Sequence, residues 1–208
     1  MGAISGTLSY KVFYVQGEIP EDWQERFVHA VEQHAFGPLE PDDDEDESIG
    51  WVVVDRPLQS QIDLHAMLFD HFINLSLRQD RYAVPSGLLN AHFEEAVREY
   101  MLENKKRKLS KFEKDDIKEM VKRRLKEKQY PRMRITDMSW DMRSGRVRFW
   151  SHSNKTCELF QGFFEDTFGL QILPANPYIN AVEAGLAEED IEALKMVEPS
   201  NFVGVELS

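Results

Sequence analysis

Residues 104–134 hold 14 Lys+Arg against 5 Asp+Glu, a net charge of +9, inside a chain whose total is −12. The remaining residues hold 11 Lys+Arg and 32 Asp+Glu, a net of −21. A segment so dense in long cationic side chains keeps to the surface. The apolar core must therefore come from the residues on either side of it. The segregation also bears on function, because the bulk of the chain repels nucleic acid while this segment attracts it.

Hydrophobic content of 42% over 208 residues is enough for one large or two small globular units. Alternation over residues 8–15 predicts a strand. Pro20, Glu21 and Asp22 open a helix whose apolar stripe is Trp23, Phe27, Ala30 and Val31. Phe36-Gly37-Pro38 is expected to stop it, with Gly37 in the left-handed cap. The acidic run 41–47, PDDDEDE, is expected as a solvated loop; a calcium site and a DNA-like docking onto the basic segment are its other readings. Residues 50–54 read as a strand buried on both faces, and 71–77 as another, within a stretch from 62 whose period is ambiguous.

Ser86 is the expected N-cap of a helix carrying Leu89, Phe93, Ala96, Val97, Tyr100 and Met101, ended or extended by the KKRK run near Lys108. Ser110-Lys111-Phe112-Glu113 is a capping-box pattern, so a second helix runs to about residue 128 and closes at Pro131. A β-hairpin follows, over 133–140 and 146–151 with its turn at Arg143-Ser144-Gly145. Then come a helix over 155–168 stopped by Gly169, a strand over 170–173 and a helix over 187–196. The two Phe-Gly stops read either as an internal duplication or as two independent helix ends. The fold class is α+β, with mixed or antiparallel sheets, packed helices and an inserted basic helical hairpin. Its parts are 1–84, the hairpin 85–130, a completing segment 131–178 and a tail 179–208.

On the second helix Lys111, Lys114, Lys118, Lys122 and Lys126 recur at i+3/i+4 steps and form a ridge. Ile117, Met120, Val121 and Leu125 are expected to pack on the first helix. Lysines along a ridge meet phosphates without reading bases. Lys105, Lys106, Arg107 and Lys108 add a run with no acid in it, and Arg123 and Arg124 add bidentate donors. The hairpin supplies Arg132, Arg134, Arg143, Arg146 and Arg148; alternation puts Arg146 and Arg148 on one strand face, and an arginine-bearing sheet face beside the ridge is expected to make a groove. Solvation of an ordinary charged helix is the plain alternative.

No HExxH, P-loop, GxGxxG or GxSxG motif occurs, and one cysteine, Cys157, forms neither an intrachain disulfide nor a zinc finger. Neither a signal peptide nor a bilayer-length apolar run is visible, so a cytoplasmic chain is expected, with no cofactor, no metal and no membrane partner. Asp137 and Asp141 are the one imaginable metal pair, and no catalytic residue is assigned.

The stretch 72–178 resembles the bacterial recombination-associated RdgC family. The resemblance rests on Arg78-Gln79-Asp80 after a strand, Pro85 before a long helix, Arg107-Lys108-Leu109-Ser110-Lys111, and Tyr130-Pro131-Arg132. It continues through a hairpin with Trp140 and Gly145 to a helix leading to Leu173-Pro174. Ala35-Phe36 and Gly50-Trp51 extend it towards the N-terminus. It implies a nucleoid-associated homodimer that encircles double-stranded DNA with little sequence preference, restrains a RecA-type recombinase and is not an enzyme. Against that family the chain reads as short and C-terminally abbreviated. The rival reading is an interaction module whose basic arm binds an acidic partner or another copy.

Overall fold

The structure is a computed structural model that describes Gly2, residues 9–43 and residues 45–197. Its strands are β1 (Lys11–Gln16), β2 (Glu47–Val52), β3 (Leu68–Phe69), β4 (Phe72–Arg81), β5 (Arg132–Asp141), β6 (Arg146–Phe149) and β7 (Gln171–Pro174). They form a single antiparallel sheet in the order β2-β4-β5-β6-β1-β7, with β3 on β4. The helices are α1 (Trp23–Gln33), α2 (Leu64–Met67), α3 (Ser86–Glu103), α4 (Lys111–Glu127), α5 (Asn154–Phe168), α6 (Pro177–Glu183) and α7 (Glu188–Lys195). The fold is α+β as expected. Parts 1–84 and 131–178 share the sheet, because β1 inserts between β6 and β7.

Alternation decides which face of the sheet is apolar. Ile73, Leu75 and Leu77 of β4, Met138 and Trp140 of β5, Val147 and Phe149 of β6 and Phe13 of β1 are all buried in one core. Phe27 and Val31 of α1 join it, as do Phe160, Phe164 and Phe168 of α5. Aromatic contact dominates here: Phe149 stacks on Phe160 at 3.9 Å, and Phe164 meets Trp140 edge-on at 5.2 Å. The Trp51 indole N–H donates to the Thr167 hydroxyl at 3.0 Å, so its burial leaves no orphan donor.

α3 and α4 are inserted between β4 and β5 and carry a second small core, Ile117, Val121 and Leu125 against Leu89, Phe93, Ala96 and Val97. Ser110 and Glu113 close the expected capping box. Gly169 takes the expected left-handed cap of α5, at φ +67°.

Several expectations are corrected. The strand expected over 50–54 is β2, and it begins at Glu47, so the acidic run flows straight into the sheet. Ser86 is the first helical residue and Pro85 the cap. α3 ends at Glu103 and Lys105 turns at φ +50°, so the KKRK run is a connection and not helix. Met120 is 41% exposed instead of packed. α6, α2 and β3 were not foreseen, being too short to show a period. Leu8 of the first expected strand lies outside the described residues, and β1 begins at Lys11.

The stop at Phe36-Gly37 is also different. α1 ends at Gln33, and Ala35 bridges Trp51, with the Phe36 N–H donating to the Trp51 carbonyl at 2.9 Å. Gly37 does not have a positive φ. Phe168-Gly169 thus ends its helix, whereas Phe36-Gly37 lies beyond the end of α1. The glycine that the fold requires is Gly50, where a Cβ would lie 2.3 Å from the Phe36 Cα. Gly50→Ala should therefore lower stability by about 3 kcal/mol or more through overpacking. Gly37→Ala, with nothing within 4 Å of its new carbon, should be neutral or raise stability by roughly 0.4–1 kcal/mol. Urea midpoints of the two variants check the contrast.

Candidate nucleic-acid interface

β4 and β5 are each 10 residues long and pair along their whole length, from Phe72↔Asp141 to Arg81↔Arg132. Only the inner half lies under the aromatic core. The outer half runs on towards the arm, and the core phase continues into it: after Leu77 come Gln79 and Arg81, and opposite them stand Arg134 and Arg132. These side chains floor an open groove of about 1100 Å³, walled by Leu89 and Lys122 of the arm and by Lys155 and Leu159 of α5.

The groove is electrostatically loaded. Arg81 and Arg132 stand directly across from one another, an arrangement of like charges that destabilises a ladder. Lys155 sits in the first turn of α5, where the helix dipole disfavours a cation. Among the described residues none of Arg81, Arg132, Arg134 and Lys155 has a carboxylate partner within ion-pair distance. Glu47, directly across from Arg81 on β2, and Asp46 also line the groove, so its cations are offset only in part.

From Lys122 the ridge leaves the groove along α4 through Lys118, Lys114 and Lys111, all exposed. Each i+4 step rises about 6 Å, close to two base-pair steps of roughly 3.4 Å along a DNA strand. Arg124, Lys105, Arg107 and Lys108 are exposed elsewhere on the arm. Lys106 is engaged: it pairs with Glu113 and lies over the Tyr100 ring at 6.0 Å. The Lys106 ammonium, the Ser110 N–H and the Ser110 hydroxyl hold the Glu113 carboxyl down at about 2.

The base of the ridge does not match expectation. Lys126 is buried, 3% exposed; its ammonium donates to the Asp43 carbonyl at 3.1 Å and the Glu45 carbonyl at 3.4 Å, and pairs with the Asp46 carboxylate at 2.9 Å. Lys122 pairs with Asp46 at 2.7 Å, and Arg123 donates to Asp42 at 2.7 Å. Of the acidic run, Asp42, Asp43, Glu45 and Asp46 thus contact α4, which is the docking onto the basic segment that was its other reading, while Asp42, Asp43 and Glu45 stay exposed to solvent. Burial opposes ionisation of Asp46, but Lys122 and Lys126 outweigh it and hold its carboxyl below the ordinary 3.8. The contact is complete above that value and weakens as pH falls below it.

The hairpin arginines do not form one patch. Arg146 and Arg148 share the register of Asp141 and Ser139, which puts them on the sheet face opposite Arg132 and Arg134. Arg146 lies over Tyr14 at 5.7 Å. Arg81 and Lys155 belong to the groove and had not been singled out. The signal for Arg81 was its phase, since it shares the apolar positions of its strand; Lys155 had none, because it is brought in by the packing of α5.

Fold and groove together define a class: an α+β sheet protein with an inserted basic helical arm and an arginine- and lysine-lined groove at its root. A family model described as "Putative exonuclease, RdgC" matches residues 10–187, and the chain belongs to the RdgC family, which ties it to recombination. No curated protein matches it significantly. No helix among the described residues is long and apolar enough to cross a membrane.

One consequence of the capping geometry is directly measurable. The Glu113 carboxyl should titrate near 2 by NMR, and its contribution to arm stability should be present above the ordinary value of 4.5 and be lost as pH falls through about 2. Ser110→Ala should return the midpoint towards 4.5 and cost the arm about 1 kcal/mol.

Proposed function

We propose that the chain binds double-stranded DNA through its phosphates, with little sequence preference, and performs no chemistry on it. The observation that carries this reading is the row of unpaired groove cations, Arg81, Arg132, Arg134 and Lys155, continuous through Lys122 with the exposed lysines of α4. Cations spread along a groove and a helix ridge suit the phosphate backbone, whose contacts position a duplex without carrying sequence information. In a recombination family, occupancy of the duplex would restrain a RecA-type recombinase by competition for the same DNA, and would make the chain nucleoid-associated. Pairing of two copies is supported by the arm tip, where Leu102 is 79% and Phe112 74% exposed.

The family description contains the word exonuclease, for which Asp137 and Asp141 were the sequence's candidates. Both lie on one face of β5, yet four residues along a strand separate them by about 13 Å, too far to share an ion. Asp137 accepts from Ser76 at 2.6 Å, while Asp141 caps the Arg143-Ser144 turn. This geometry supports binding over cleavage. End-labelled duplex should stay intact with the protein and magnesium or manganese; shortening that is lost on Asp137→Ala would reverse the assignment.

The rival, an acidic protein partner, draws on the arm's hold on carboxylates of its own chain. Duplex titration separates the two. Affinity for a random duplex should fall with salt at a log–log slope of about −0.9 per phosphate engaged. Arg132→Glu with Arg134→Glu should weaken all sequences alike by roughly ten-fold or more at low salt and flatten that slope by up to about two. Arg146→Glu with Arg148→Glu should leave affinity within about two-fold, those side chains being on the other face.

A further inference from the structure

The acidic segment and the ridge meet where the proposed DNA path must pass. Lys122 belongs to the groove and is also the innermost free-standing lysine of the ridge, yet its ammonium is held by Asp46. Arg123, the next residue, is held by Asp42. Both carboxylates come from the far side of the chain and occupy positions that phosphates would take.

The three contacts differ in kind. Lys126 is nearly fully buried and is bonded to two backbone carbonyls besides Asp46. Those carbonyl contacts do not involve the carboxylate and tie the segment to α4 independently of it. The Lys122 and Arg123 pairs are open to water: the side chains of Asp46 and Asp42 are 40% and 58% exposed. Ion pairs of that exposure are weak and screened by salt. A polyanion arriving with several phosphates can replace them.

We infer that the segment around Asp42 and Asp46 is an autoinhibitory phosphate mimic: it covers Lys122 and Arg123 in the free protein, and duplex backbone displaces it while Lys126 keeps it tethered. The inference rests on the DNA-binding reading above and adds its regulation. Isolated anions and short polyanions face a covered site. A long duplex, engaging the groove and the outer ridge at once, gains enough contacts to open it. The bound state then uses more cations than the free surface displays.

The test compares affinity for a random duplex at low salt across the full-length wild type, Asp42→Asn, Asp42→Asn with Asp46→Asn, and a charge-matched control, Glu188→Gln with Glu189→Gln, on the remote α7. The double variant should bind roughly three- to ten-fold more tightly than the control, each exposed pair being worth a factor of up to about five. Asp42→Asn touches only the exposed Arg123 pair and should give part of the gain without disturbing Lys126. In the wild type, hydrogen exchange over residues 40–46 should speed up on adding duplex while the second half of α4 slows. If the wild type binds duplex but the loop variants match the control, or if the segment becomes more protected on binding, the autoinhibitory contact is wrong and the DNA reading stands. If no variant binds duplex, both fall.

Discussion

The ladder between β4 and β5 is longer than the core that covers it, and the placement of the three arginines in the groove depends on that mismatch. Inside, Leu75 and Met138 face α5; outside, the same phase of the same strands presents Arg81, Arg132 and Arg134. The period of two is strict, so a one-residue slip would turn the arginines to the opposite face and the leucines to water. The apolar core therefore fixes the register, and the register places the charges. The arm, inserted at the far end of this ladder, inherits its position from the same pairing.

Concentrating cations has an energetic cost, and the molecule meets it unevenly. Near the arm tip Glu113 neutralises Lys106 while closing the capping box. At the base Asp42 and Asp46 neutralise Arg123, Lys122 and Lys126. Between these points, and at Arg81, Arg132, Arg134 and Lys155 in the groove, no carboxylate stands within ion-pair distance among the described residues. A chain of net charge −12 can hold this local excess, because exposed charges more than about 8–10 Å away are largely screened at physiological salt. Net charge thus governs the distant approach of a polyanion, whereas the groove and ridge govern contact.

What could be read from the sequence was what short-range chemistry determines. Ser110 and Glu113 cap the same helix turn, so their spacing suffices. Gly169 needed only its own conformation. Gly37 looked alike and behaved otherwise, because the chain after α1 is drawn sideways into a bridge with Trp51, a tertiary pairing that no local pattern encodes. Arg132 and Arg134 were singled out for their charge but grouped with the wrong neighbours. Their place was encoded: both stand in the phase of Met138 and Trp140, and a charged residue in the apolar phase near a strand end means that the strand outruns its core. Lys155 enters only through the packing of α5 and was invisible. Acidity alone left the solvated and the docked readings of the acidic run both open; the choice is made by arm residues 81 and 83 positions away in the chain, Arg123 against Asp42 and Lys126 against the Asp43 carbonyl.

Those two carboxylate contacts on the arm do different work because of where they originate. Glu113 belongs to the arm and moves with it, so its pairing with Lys106 stiffens the tip without relating it to the sheet. Asp46 belongs to the body, one residue before β2, and the Asp46 carbonyl accepts from the Tyr82 N–H at 2.9 Å at the end of β4. Through Lys126 the sheet therefore sets the angle at which α4 leaves it. Orientation and screening are carried by the same few residues, but by different atoms: backbone carbonyls hold the ammonium in the interior, and carboxylates cover the cations at the rim. That division is what the proposed displacement relies on: the rim pairs are separate from the buried carbonyl contacts that hold the arm to the sheet.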